Sequence, residues 1–182
     1  MSDNDSKIKS LLRVDETDGL KRIGFLLLNE FSMLAFASAI EPLRAANRLT
    51  NKYLFEWVVA SPEGTSSIAS NGVEVHTSTS PETLETCRMV FVCSGVNVRA
   101  NTTKPVMNLI RRLDRKGAII GAICTGTYVM AAAGLLDNRR CTIHWENIDG
   151  LAEEFPELEI TADLFEIDGN RVTCSGGTAS LD

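Results

Sequence analysis

Four short, almost wholly apolar runs recur along the chain: IGFLLL at 23–28, FEWVVAS at 55–61, MVFVCS at 89–94 and AIIGAIC at 118–124. Each is far too short to cross a bilayer and reads as a strand buried on both faces. Between them the spacing turns helical. Leu34, Ala37, Ile40 and Leu43 share one face of a helix expected over 33–47, with Ser32 as its N-cap and Pro42 as a kink or local break. Pro105 to Arg115 predicts a second helix with proline in its first turn. Thr125 to Leu136 predicts a third, built of small residues that pack closely on a sheet. Trp145 to Phe155 predicts a fourth, ended by Pro156. Two hairpins complete the pattern, one over 66–77 turning at Asn71-Gly72, the other over 164–176 turning at Asp168-Gly169-Asn170. Strands that alternate with helices predict an α/β fold with a mostly parallel sheet covered on both faces. In such sheets ligands bind at the carboxyl ends of the strands. Two of those ends carry candidate groups, Ser94-Gly95 and Cys124-Thr125-Gly126.

The remaining organisation is simple. Residues 1–20 are polar and aperiodic and read as a flexible arm. Residues 21–182 read as one domain. The end, GGTASLD, looks like a helix start capped by Thr178 and cut off after one turn, as in a piece of a longer protein. A formal charge of −6 argues against nucleic-acid binding through phosphates. The densest basic group, Arg111, Arg112, Arg115 and Lys116, is expected to be a solvated helix face. Five cysteines without a CxxC pair, and a polar start lacking an apolar leader core, predict a reducing cytoplasm. Histidines and cysteines are too scattered for a zinc site, and His76 is expected to be an exposed hairpin residue.

The chemistry gathers at Cys124. A nucleophile on a sharp strand-to-helix turn needs small residues two before and two after it; Ala122 and Gly126 fill those places. The following helix points its positive end at the thiol, an arrangement that lowers a thiol pKa. Backbone N–H groups of Thr125 and Gly95 are placed to receive an anion or a carbonyl oxygen. His144 stands as a possible base. The alternative is a packed cysteine at a strand end. Gly121 and Gly126 imitate a phosphate loop, but Thr127 stands where that motif needs lysine.

Five segments together carry a resemblance: GFLLLNEFSMLAFASAIEPLRAANRL, FVCSG, GAICTGTYVMAAAGLLDNRRCTIHWEN, EEFPELEI and LFEIDGNRVTCSGGTASLD. They resemble the class I glutamine amidotransferase-like superfamily, which includes the PfpI-type intracellular proteases. Within it they are most similar to N-terminal sensor domains of AraC-family transcriptional regulators, in particular those responding to carnitine, glycine betaine and related quaternary amines. The resemblance implies a three-layer, doubly wound (flavodoxin-like) sandwich with a pocket beside Cys124. It also implies a homodimer and a helix-turn-helix DNA-binding domain beyond Asp182, without a cofactor, a metal or a membrane partner.

One departure decides between enzyme and sensor. PfpI-type enzymes hold a glutamate early in the first helix, against the cysteine. Here Ala35 takes that position. Glu30 precedes the helix and Glu41 lies nearly two turns further on. A cysteine without its orienting acid is a poor nucleophile, so the chain reads as a non-enzyme, with Cys124 and His144 vestigial. The pocket is instead expected to bind a small metabolite. Phe31 and Trp145 would offer aromatic faces to a quaternary ammonium, and Glu146 or Glu30 a charge. A ligand carboxylate would sit on the helix start at Thr125-Gly126 or meet Arg99. The alternatives are a cysteine-dependent amidase or hydrolase using Cys124 and His144, and a thiol redox sensor.

Overall fold

A computed structural model describes residues 21–77 and 79–181. The expectation of an arm over 1–20 lies outside the described residues. The first apolar run forms β1 (Lys21–Leu27) and leads into α1 (Met33–Thr50). The Ser32 hydroxyl accepts from the Ala35 N–H, as its cap position requires, and Pro42 rides inside the helix without ending it. Next come β2 (Phe55–Ala60), the small hairpin β3 (Ser66–Ile68) and β4 (Glu74–His76), and β5 (Met89–Cys93). A four-residue α2 (Val98–Asn101) precedes α3 (Lys104–Arg115), which Thr103 caps and Pro105 starts. Then follow β6 (Ile119–Ile123), α4 (Gly126–Ala132), β7 (Arg140–Thr142) and α5 (Ile148–Glu154). Then come β8 (Glu159–Thr161), β9 (Phe165–Asp168) and β10 (Arg171–Cys174), followed by a 3₁₀ turn over Gly177–Ser180 whose cap position is Gly176 rather than the expected Thr178.

The central sheet runs β2-β1-β5-β6-β10-β9, parallel except for β9. The β1 strand lies between β2 and β5, so the strand order reverses there, and that reversal opens a crevice at the carboxyl ends. One face carries Leu26, Val90, Val92 and Ile120, sealed by Val106, Ile110 and Leu113 of α3 and by Val129 and Met130 of α4. The other carries Phe25, Leu27, Cys93 and Ile123 under Ala35 and Phe36 of α1. Each fully buried Leu or Ile on the first face contributes about 2 kcal/mol. The result is the expected three-layer α/β sandwich.

Three elements differ from expectation. The helix predicted to run to Leu136 stops at Ala132, because Gly134 takes φ +69 and the Arg111 guanidinium reaches across to donate to the freed Ala132 and Ala133 carbonyls. The helix predicted from Trp145 begins as a 3₁₀ turn, Trp145–Asn147, and becomes α-helical at Ile148. The basic face of α3 is not simply solvated: besides Arg111, Arg112 and Lys116 both bind Glu85. No helix among the described residues is long and apolar enough to cross a membrane.

Candidate functional site

Cys124 occupies the turn between β6 and α4 with φ 61, a left-handed conformation costing a residue with a side chain about 1 kcal/mol. The turn is over-determined. The Cys124 N–H donates to the Cys174 carbonyl at 3.1 Å. The Thr125 hydroxyl donates to the Gly95 carbonyl at 2.7 Å, joining the ends of β5 and β6. Gly126 is required by close approach: a Cβ there would stand 2.2 Å from the Val92 carbonyl oxygen.

The thiol does not have the lowered pKa expected of a helix start. Burial pushes it up to about 11; the Thr125 backbone N–H pulls it down, and the neighbouring Cys174 and Glu146 add to the rise. The reason is the environment. Cys124 is 6% exposed and belongs to one apolar cluster with Phe31, Ala35, Phe36 and Cys93. Ala35 belongs to the same apolar cluster as the thiol and contributes a methyl group to it. Glu30, also in a left-handed conformation, turns its carboxylate to the Asn97 amide at 2.7 Å. Glu41 pairs with Arg44 on the exposed side of α1.

An open cleft of about 610 Å³ lies over this turn. Of the residues predicted for the site, it is lined by Gly95, Arg99, Cys124, Thr125, His144 and Glu146. Four others fall outside it. Phe31 is wholly buried, edge-on to Phe36 in the core. Ser94 is 1% exposed, with its hydroxyl buried and unpartnered among the described residues. Gly126 lies under Val92. Trp145 is 72% exposed, beside the His144 ring but outside the lining. The aromatic walls expected from Phe31 and Trp145 are therefore not built. Instead Ser32, Ser70, Asn97 and Asn147 add polar groups to a lining that Val96, Val98 and Ala100 share. Three of them read as local structure in the sequence: Ser32 caps α1, Ser70 belongs to the β3–β4 connection, and Asn97 holds a left-handed turn, while Asn147 sits at the start of α5 without a side-chain cap bond.

His144 is about a quarter exposed, and its Nδ1 is buried without a hydrogen-bond partner among the described residues. Glu146 Oε2 lies 3.7 Å away, near but beyond hydrogen-bond reach. At the far rim, Arg99 donates to Glu154, whose carboxylate also accepts from the Tyr128 hydroxyl. Tyr128 and Arg99 together hold the Glu154 carboxyl below the usual range. Among the described residues no three His, Cys, Asp or Glu side chains converge as a metal site.

A sandwich of this topology, with a strained cysteine at the carboxyl end of β6, defines a class of proteins, and the comparisons give its name. The DJ-1/PfpI family model matches residues 21–182, and the chain belongs to that family. It is 47% identical over 158 residues to the HTH-type transcriptional regulator CdhR of Pseudomonas aeruginosa, covering 87% of this chain and 47% of that one. It is 44% identical over 169 residues to the HTH-type transcriptional regulator GlxA of Rhizobium meliloti, covering 92% and 52%. The chain thus spans about half the length of the curated relatives it matches. Among solved structures, an AraC family transcriptional regulator from Pseudomonas putida superposes with TM-score 0.78 at 28% identity, covering 88% of this chain and 86% of that one.

Proposed function

We propose that this chain is the effector-sensing domain of an AraC-family transcriptional regulator, binding a small metabolite in the cleft over Cys124 as a homodimer. A helix-turn-helix domain in the remainder of a longer protein would then read DNA. The observation that carries the reading is the condition of Cys124: a thiol raised to about 11, at the floor of an open cleft, sharing its apolar cluster with Ala35. The similarity to regulators over nearly the whole chain supports it.

The cleft's chemistry favours a zwitterion. Arg99 suits a carboxylate and Glu146 a cation, with Asn97 and Asn147 as neutral hydrogen-bonding groups. A quaternary amine such as glycine betaine or carnitine fits that pattern, its ammonium held by Glu146 rather than by an aromatic box. Isothermal titration with glycine betaine, carnitine and their uncharged analogues tests this. Binding restricted to the charged compounds supports the reading; equal affinity for the uncharged ones removes the ionic argument.

A second reading, an amidase or hydrolase using Cys124 and His144, is supported by the strained cysteine turn and by a His144 Nδ1 without a hydrogen-bond partner among the described residues. It requires turnover of an amide or ester that Cys124→Ala abolishes. A sensor requires that this variant fold and bind without turnover in either form.

A further inference from the structure

Arg99 is the only arginine or lysine in the cleft lining, among the described residues. Its side chain is 65% exposed, yet its guanidinium is already engaged. Nε and Nη2 donate to one oxygen of Glu154 at 3.1 and 2.9 Å, and the plane lies 5.4 Å over the Tyr128 ring. The other Glu154 oxygen accepts the Tyr128 hydroxyl. A carboxylate of the chain itself thus sits where a ligand carboxylate would go.

The position of Glu154 gives that contact a consequence. It is the last residue of α5. The segment leading into α5 begins with His144, Glu146 and Asn147 of the cleft lining. Of the residues from Trp145 to Glu154, Leu151 alone is buried. The segment is therefore tied to the cleft at both ends and anchored between them only by Leu151 and the half-buried Ile148.

We propose that Glu154 is a built-in competitor for Arg99: an effector carboxylate displaces it and thereby frees the C-terminal end of α5 from α2. This rests on the effector-sensing reading above. The exchange is chemically even, since one carboxylate–guanidinium pair replaces another, and exposed pairs of this kind are weak enough to be exchanged. The incoming ligand shifts the balance through the contacts it makes elsewhere in the cleft, which Glu154 cannot make.

Two probes sharing a quaternary ammonium separate the contributions: glycine betaine, which has a carboxylate, and choline, which has a hydroxyl. Glu154→Gln is expected to tighten glycine betaine binding about three- to tenfold and to leave choline binding unchanged. Arg99→Met is expected to weaken glycine betaine at least tenfold and leave choline unchanged. Hydrogen exchange of residues 148–154 in the wild type should quicken on glycine betaine binding. Circular dichroism of both variants controls for folding. Unchanged or weaker glycine betaine binding by Glu154→Gln overturns the proposal, as does indifference to Arg99→Met. If the wild type binds neither amine, the quaternary-amine reading fails, and acetate decides the competition separately. The Arg99 Nε–H resonance should then respond to acetate at lower concentration in Glu154→Gln than in the wild type; equal midpoints overturn it.

Discussion

The two faces of the sheet are packed to different standards. On one, α3 places Val106, Leu109, Ile110 and Leu113 wholly or almost wholly out of solvent, and α4 is buried along nearly its entire length. On the other, the 18-residue α1 buries only Ala35 and Phe36. Beside it an apolar groove of about 280 Å³ lies open, lined by Phe165, Ile167 and Val172 of the sheet and Leu43 of the helix. The cleft-floor cysteine belongs to the second, looser face. The difference teaches where stability and adaptability are kept. The sealed face holds the strands in register, and the looser one bears the turn that carries Cys124.

Core truncations test that contrast most strongly. Leu113→Ala should cost about 3–5 kcal/mol in urea denaturation, because the site cannot collapse around the lost atoms. Leu43→Ala, facing the open groove, should cost about 1 kcal/mol, since much of its surface is already wet. Equal losses would erase the distinction between the faces. Next in size is Gly126→Ala. Its methyl must push α4 away from the Val92 carbonyl, at about 1–3 kcal/mol, and should weaken effector binding with it.

The thiol gives a sharper, non-energetic comparison. An acid with a raised pKa stays protonated until the pH climbs through the higher value. Alkylation of Cys124 by iodoacetamide at pH 8 should therefore run about a hundredfold slower than for an ordinary thiol, and rise about tenfold per pH unit toward 11. Mass spectrometry of the modified peptide measures it; rapid reaction near neutral pH would restore the enzyme and redox readings. The same sign makes burial of this thiol stabilising below pH 9 and progressively less so up to 11. The smallest effect belongs to the surface. Arg112→Ala, which removes the pairing with Glu85, should change stability by less than about 1 kcal/mol.

The strands of the main sheet were legible because buried parallel strands leave a plain mark, a short apolar run between helical spacings. The three-residue β7 and β8 and the four-residue α2 leave none, since neither period repeats within them. The end of α4 was legible in principle at Gly134, just past the alanine run, where the left-handed conformation stops the helix; only the Arg111 donation to the freed carbonyls is distant in sequence. At the site, Cys124 and Gly95 were legible from the small residues their turns demand. The fates of Phe31 and Trp145 were not. Either aromatic could have faced the cleft, and tertiary packing sent one into the core beside Phe36 and the other into solvent. The thiol's pKa runs against the expected direction for a related reason: burial in the apolar cluster outweighs the start of a seven-residue helix.

The central claim is that the cleft over Cys124 receives an effector. Amide chemical-shift mapping during a glycine betaine titration tests it directly. Saturable shifts concentrated at Gly95, Arg99, Thr125 and Asn147, with the compound recovered intact, are the predicted result. Shifts centred on the groove at Phe165 and Val172, or consumption of the compound, would contradict it.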